Sequence, residues 1–329
     1  MKRILIFLCL LSTVAVSHSQ DLENLVKGSA ADANYLVKGY VTPLLNSVGA
    51  GFAQGWYNTA KPHKLLGFDL TVTASAIYFP SSDLVYKVEN SAMSNLVVTP
   101  VSETSTMAPT ILGSETAPIY QIKSAGVAIN GAPGLDLKNN GIDFVPAAMV
   151  QLGIGLPKGT DLKIRFFPST KIGDNGTANM LGFGVMHDIK QHIPGVKNLP
   201  FDLSAFVGHT NTKLEIGLDD ARPDQKATFE TNATTIQGLI SKKLSVVTFY
   251  AGLGYNFTSA SLAVKGRYYL DNTNTVAASL LDPVDFSVSQ SGPRATIGMR
   301  LKLLIFTFHG DYTLQKYNAL TVGFGLNIR

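Results

Sequence analysis

Cysteine is almost missing from this chain, and that absence narrows its chemistry at once. The one cysteine, Cys9, falls inside a leader-like stretch. There Lys2 and Arg3 precede the apolar run Ile4 to Leu11, and Ser17-His18-Ser19 supplies small residues ahead of Gln20. This pattern reads as a secretory signal peptide over residues 1–19. Beyond it no thiol is left for a disulfide, a zinc thiolate or a nucleophile. A surplus of one charge is lacking too. The formal net charge of +4 loses two units with Lys2 and Arg3, leaving no electrostatic ground for a nucleic-acid partner. Long apolar runs are the third absence. After the leader no stretch approaches the roughly 18 apolar residues of a spanning helix, which excludes an α-helical membrane protein. A membrane β-barrel stays open, because its apolar residues come at every second position and never form a run.

Alternation is what the sequence has in quantity. "LTVGFGLNIR" (320–329) sets Leu320, Val322, Phe324, Leu326 and Ile328 against Thr321, Gly323, Gly325, Asn327 and Arg329. Successive strand side chains point to opposite faces, so this is a ribbon with one apolar and one small or polar face. "LGFDLTVTASAIYF" (66–79), "VQLGIGL" (150–156), "DLKIRF" (161–166) and "VTFYAGLGYNF" (247–257) behave alike. Two further runs, Ile297 to Leu303 and Leu304 to Tyr312, change phase between Leu303 and Leu304, which suits a tight turn there, or equally a bulge. Ten strands are expected, at 66–79, 142–156, 160–168, 178–188, 201–213, 230–241, 245–258, 287–303, 304–315 and 318–328. Their lengths suit a tilted bilayer crossing of about 9–11 residues better than a soluble strand of five or six, which argues against a secreted β-sandwich.

Connections alternate between short (157–160, 241–244) and long (80–141, 169–177, 214–230, 259–286). That asymmetry belongs to outer-membrane barrels, as do aromatic pairs near strand ends at Tyr78-Phe79, Phe166-Phe167 and Tyr268-Tyr269, together with Tyr317. A strand at 261–270 or a pair within 80–141 would raise the count. The fold expected is all-β, a transmembrane antiparallel β-barrel of roughly 10–14 strands over residues 65–329. A short helical or plug segment over residues 20–64 precedes it, because Ala33, Leu36, Val37, Tyr40, Leu44 and Val48 recur at helical spacing. Pro43 is expected to break or restart that helix. A barrel also explains a strand that runs to the end of the chain, since the last strand pairs with the first and leaves no free edge.

"WYNTAKPHKLLGFDLTVTAS" (56–75), "GFGVMHDIKQHIPGVKNLPFDLSAF" (182–206) and "DYTLQKYNALTVGFGLNIR" (311–329) carry a resemblance to an uncharacterised family of Gram-negative outer-membrane barrels. It implies a location in that membrane, with its lipid as a partner, and no activity. The last strand also resembles the C-terminal signal read by the outer-membrane assembly machinery. More distantly, a helical segment ahead of a barrel is similar to the long-chain fatty-acid transporter family, where such a segment plugs the lumen and hydrophobic substrates pass.

Alternation puts six basic residues on the inner face: Lys163, Arg165, Lys265, Arg267, Arg300 and Lys302. They make either a cationic lumen that favours small anions or half of a set of paired charges with Asp69, Asp161, Asp202 and Asp311. Trp56, the only tryptophan, is expected as an interfacial anchor, with a gate in the plug as the alternative. The histidines His63, His187, His192, His209 and His309 lie in no recognisable Ser–His–Asp pattern, so no enzyme is expected. His187 and His192 are spaced five apart, which aligns neither on a helix nor on one strand face, and no metal or cofactor is expected. Asp219, Asp220 and Asp224 read as a solvated loop. "HDIKQHIPGVKNLP" (187–200) is expected to form an amphipathic turn on a membrane surface. Two functions follow: a passive channel for small hydrophobic or amphiphilic molecules, or a sealed accessory barrel acting through its loops or periplasmic segment.

Overall fold

The computed structural model describes residues 29–173, 175–219, 221–269 and 279–328. The leader expected over residues 1–19 lies outside these, as do 20–28 of the expected plug segment, Asp220 and Arg329. Helix α1 (Ala30–Phe52) starts at Ser29, whose Oγ accepts from the Asp32 amide at 3.0 Å as an N-cap. The helix does not break at Pro43 but runs through it. A proline in a helix costs roughly 3 kcal/mol, and here the buried face around it (Tyr40, Val41, Leu45, Val48) holds the helix together on both sides.

After α1 the chain runs on to β1 (Phe68–Tyr78). An insert follows with β2 (Val85–Glu89), β3 (Leu96–Val98), β4 (Ser105–Pro109), β5 (Ile119–Ile122) and β6 (Ala128–Asn130). Then come β7 (Phe144–Leu156), β8 (Thr160–Ile172), β9 (Gly176–Asp188), β10 (Asp202–Gly217), β11 (Lys226–Leu244) and β12 (Val247–Lys265). A small hairpin of β13 (Arg267–Tyr269) and β14 (Ser279–Leu281) precedes β15 (Val284–Leu303), β16 (Phe306–Leu314) and β17 (Ala319–Ile328).

Ten antiparallel strands close a barrel in the order β1-β17-β16-β15-β12-β11-β10-β9-β8-β7. The last strand meets the first from Phe68↔Ile328 to Ile77↔Ala319, so neither keeps a free edge. The insert adds no barrel strand; it folds into two small sheets, β2-β4 and β3-β5-β6, that cap one mouth. The stretch at 261–265 extends β12. Several strands are taller than the sequence indicated: β10 and β11 pair as far as Gly217↔Lys226, and β12 and β15 as far as Val264↔Val284. The short turns use left-handed residues, Lys158 (φ 59°), Ser245 (φ 57°) and Leu304 (φ 56°), and the phase change at Leu303 is the two-residue turn between Leu303 and Phe306. Residues 187–200 form two 3₁₀ turns, Lys190–His192 and Val196–Asn198.

The outer face is a continuous apolar band of residues such as Leu70, Phe183, Leu253, Ile297 and Val322, all exposed. The interior has two storeys. In the upper one, Ile77, Val145, Val284 and Phe286 are buried with Leu36, Val37 and Tyr40 of α1 and with the cap residues Leu96 and Tyr120. In the lower one the buried wall residues are mostly polar, among them Asp69, Gln151, Asp161, Arg165, Arg294 and Thr307. Tyr317 and Phe79 are buried and belong to the interior, not to an aromatic girdle; Tyr317 donates to Asp83 at 2.5 Å. Tyr268 stands beyond the wall, where burial raises its phenol to about 12.

Candidate functional site: a clamped plug and two open seams

Helix α1 enters from the capped mouth. Its Asp32 carboxylate accepts from the amides of Ser94 (2.6 Å), Asn95 (2.8 Å) and Leu96 (3.1 Å), joining the helix start to the insert. At its other end, inside the barrel, the last carbonyls have no partner within the helix. Two buried arginines from opposite walls supply one. Arg165 Nη1 donates to Phe52 O at 2.8 Å and Nη2 to Gln54 O at 2.5 Å. Arg294 Nη1 donates to Ala53 O at 2.9 Å and Nη2 to Gln54 Oε1 at 2.7 Å. Neither guanidinium has a carboxylate within ion-pair distance among the described residues; the negative end of the helix dipole takes that place.

Below the clamp the plug threads down the polar storey. The Trp56 ring lies under Arg165, 3.5 Å from guanidinium carbon to ring centroid, and packs on Phe206 at 5.6 Å. It rests on Gly184 and Gly208, where a Cβ would meet the ring at 2.9 and 2.7 Å. Tyr57 donates to Gln237 Oε1 at 2.6 Å. The Ala60 amide donates to Ser241 Oγ at 3.0 Å, and Ser204 Oγ donates to Ala60 O at 2.6 Å. His63 ends the descent, with its amide on Asp161 Oδ1 at 2.8 Å and Nδ1 on Asp161 Oδ2 at 2.9 Å.

Of the six basic residues expected inside, Lys163, Arg165, Arg300 and Lys302 face the lumen. Lys163 lies 3.8 Å from Asp161, Arg300 donates to Asn58 Oδ1 at 3.0 Å, and Lys302 donates to the Asn327 side-chain oxygen. Lys265 and Arg267 do not face the lumen. Lys265 pairs with Asp285 at 3.1 Å beyond the wall, and Arg267 donates to Ser279 in the outer hairpin. Their neighbours Leu262 and Val264 point inward onto the apolar core, so here the apolar face of the strand is the inner one. Trp56 is no interfacial anchor: it is 1% exposed, deep inside. Arg294 was missed. It lies in phase with Arg300 and Lys302, and extending that two-residue spacing back along β15 finds it.

His187 and His192, apart by spacing, are brought together: their Nε2 atoms are 3.0 Å apart, and Thr160 Oγ1 meets His187 Nδ1 at 2.8 Å. They hydrogen-bond as a pair, and no group of three metal-ligating side chains exists among the described residues. Asp219 is engaged by Arg222 at 3.8 Å.

The wall itself is interrupted twice. β7 pairs with β8 only from Leu156↔Thr160 to Gln151↔Arg165, although β7 continues beside β1 to Phe144. β15 pairs with β16 only as far as Ala295↔Leu314, although β15 continues beside β12 to Val284. Each seam therefore opens at a clamping arginine: Arg165 closes the first pairing, and Arg294 follows the end of the second. At the second seam a cavity of about 580 Å³ is lined by outward Leu253, Pro293, Ala295 and Leu314 and by Gln290 and Arg294. The plug fills the barrel axis, and the second seam carries a concavity that opens on the apolar outer band and has Arg294 in its lining.

A family model described as a family of unknown function (DUF6588) matches residues 1–328. No curated protein matches the chain. Among solved structures it is similar to the translocator domain of the autotransporter NalP from Neisseria meningitidis, at 9% identity and a TM-score of 0.31 over 91% of this chain and 98% of that one. It is also similar to Ail, the attachment invasion locus protein of Yersinia pestis, at 6% identity and 0.23 over 80% and 97%. The toluene transporter TodX of Pseudomonas putida matches at 9% identity and 0.22 over 79% and 87%. These are not specifically fatty-acid transporters.

Proposed function

The chain belongs to the DUF6588 family, which assigns no activity, and from its own geometry we propose an outer-membrane barrel that passes small hydrophobic or amphiphilic molecules sideways through its wall. The single observation that carries this is the β15–β16 seam, where a cavity of about 580 Å³ with apolar sides reaches Arg294. Outward apolar residues at every second position match a bilayer, and strands left unpaired at that depth are tolerated where they line a cavity. The plug speaks against an open aqueous pore, since Trp56, Tyr57 and Ala60 are all buried.

The filled lumen also favours a second function, an accessory barrel that acts through its cap. One experiment separates them. Full-length protein in liposomes is given an environment-sensitive hydrophobic dye outside, and planar bilayers report conductance for the full chain and for a form lacking residues 20–64. The sideways route predicts dye transfer above protein-free liposomes, no steady conductance from the full chain, and conductance after deletion. Dye transfer equal to protein-free liposomes would leave the accessory function standing.

A further inference from the structure

One row of the lower wall has side chains that the chain itself does not satisfy. Thr248 on β12, Arg300 on β15 and His309 on β16 are direct cross-strand neighbours, Thr248↔Arg300 and Arg300↔His309, and all three face inward. Thr248 is 1% and His309 6% exposed. Yet Thr248 Oγ1, Arg300 Nε and both ring nitrogens of His309 are buried with no hydrogen-bond partner. Buried polar groups are almost always paired, and four orphaned atoms on three adjacent residues call for a partner from outside the chain.

Charge says what kind. The contact that Arg300 makes through Nη1 is with the neutral Asn58 side chain, and Arg300 enters no ion pair among the described residues. The nearby acids make their hydrogen bonds elsewhere: Asp311 accepts from Tyr250 at 2.8 Å, and one Asp69 oxygen accepts from Thr71 at 2.7 Å. The other Asp69 oxygen lies 3.6 Å from His63 Nε2 and has no hydrogen-bond partner of its own, so its charge reaches Arg300 through space and not by contact. Lys302, two residues along the same face, is likewise held only by the Asn327 amide. A guanidinium with no carboxylate in contact in a water-poor interior is costly, and an anion relieves it through charge-assisted hydrogen bonds.

The donors narrow the class further. Arg300 Nε and the Thr248 hydroxyl donate, whereas a neutral imidazole offers one donor and one acceptor. A chloride or a carboxylate has nothing to give the acceptor. We infer that this row binds a small oxyanion bearing its own proton, with hydrogen phosphate as the type. Gly323, the partner of His309 on β17, leaves room for the ring to lie flat, since a Cβ there would sit 2.1 Å from it.

Inorganic phosphate is the probe, and full-length mature protein in detergent is the sample. Phosphate released on acid denaturation and uptake of labelled phosphate at equilibrium are measured together. The expected result is one phosphate per chain, with affinity at least tenfold weaker in Thr248→Val and Arg300→Gln and unchanged in Lys226→Gln on the rim. Should Arg300→Gln fail to fold, Thr248→Val decides, because it removes a single hydroxyl at nearly constant shape. Neither release nor uptake by the unmodified protein means that water alone satisfies the row, and the inference falls. It falls equally if Thr248→Val binds as the unmodified protein does.

Discussion

Arg165 shows how much one residue holds here. It joins the helix end, the Trp56 ring and the foot of a seam, and it does so without an acidic partner. Replacing it by methionine keeps bulk and removes the donors, leaving Gln54 O without its Arg165 bond and Phe52 O with only the Thr210 hydroxyl at 3.4 Å. The expected cost is about 3 kcal/mol, seen as a lower urea midpoint for the intrinsic fluorescence. Because Trp56 is the only tryptophan, emission excited selectively at the indole, away from the tyrosines, reports the plug. The neighbouring glycines give a second expectation. Gly208→Val places methyl groups where the indole lies, so the ring is displaced and acrylamide quenching of its emission rises; unchanged quenching would show the ring has another seat. The sequence reveals Arg165 and Arg300 through two-residue spacing alone, whereas Arg294, on the same spacing further back along β15, went unrecognised. It conceals that Trp56 is an interior residue, because an aromatic pair after a glycine looks the same beside a lipid headgroup or beneath a guanidinium. It conceals the His187–His192 pair too, since that contact is made by the fold of a turn and not by any periodic pattern.

Strands are where the sequence speaks most clearly, and only over part of their length. Alternation marks β1, β12 and β17 wherever one face meets the apolar surroundings and the other the polar storey. Above that level the contrast fades or reverses, as at Leu262 and Val264, so Lys265 and Arg267 were placed inside when they stand outside. The same loss of contrast hid the upper ends of β10 and β11. Helix α1 was legible from its spacing, but its course through Pro43 was not, because packing on the wall decides it. At this scale the joint between α1 and the cap is testable. Asp32→Asn leaves an amide that accepts less strongly from the three backbone donors at Ser94, Asn95 and Leu96. Hydrogen exchange at those amides is expected to quicken by an order of magnitude or more, an opening free energy lower by about 1.5–3 kcal/mol. Exchange in β17 should stay as it is.

For the whole molecule the governing contrast is an apolar exterior around a filled, two-storey interior. If the outer band faces lipid, Leu326→Arg on β17 should cost about 2–4 kcal/mol near the midplane. It would appear as a smaller membrane-inserted, heat-modifiable fraction; normal levels would mean that the band meets something other than lipid. The direction of the helix carries a further consequence, for the order of construction. Ser29 stands at the capped mouth, whereas Phe68 and Ile328 stand at the opposite rim, so the chain passes lengthwise through a ring made from its own later residues. The ring is completed by the pairing of β17 with β1, the final strand to be synthesised with the first. A helix with its side chains is about 10–12 Å across, too wide to be drawn past the wall arginines Arg165 and Arg294 once they cross the lumen. Seating of the helix must therefore precede that last clasp, and a ring that shut early would strand the leading segment on the wrong side with no way back in.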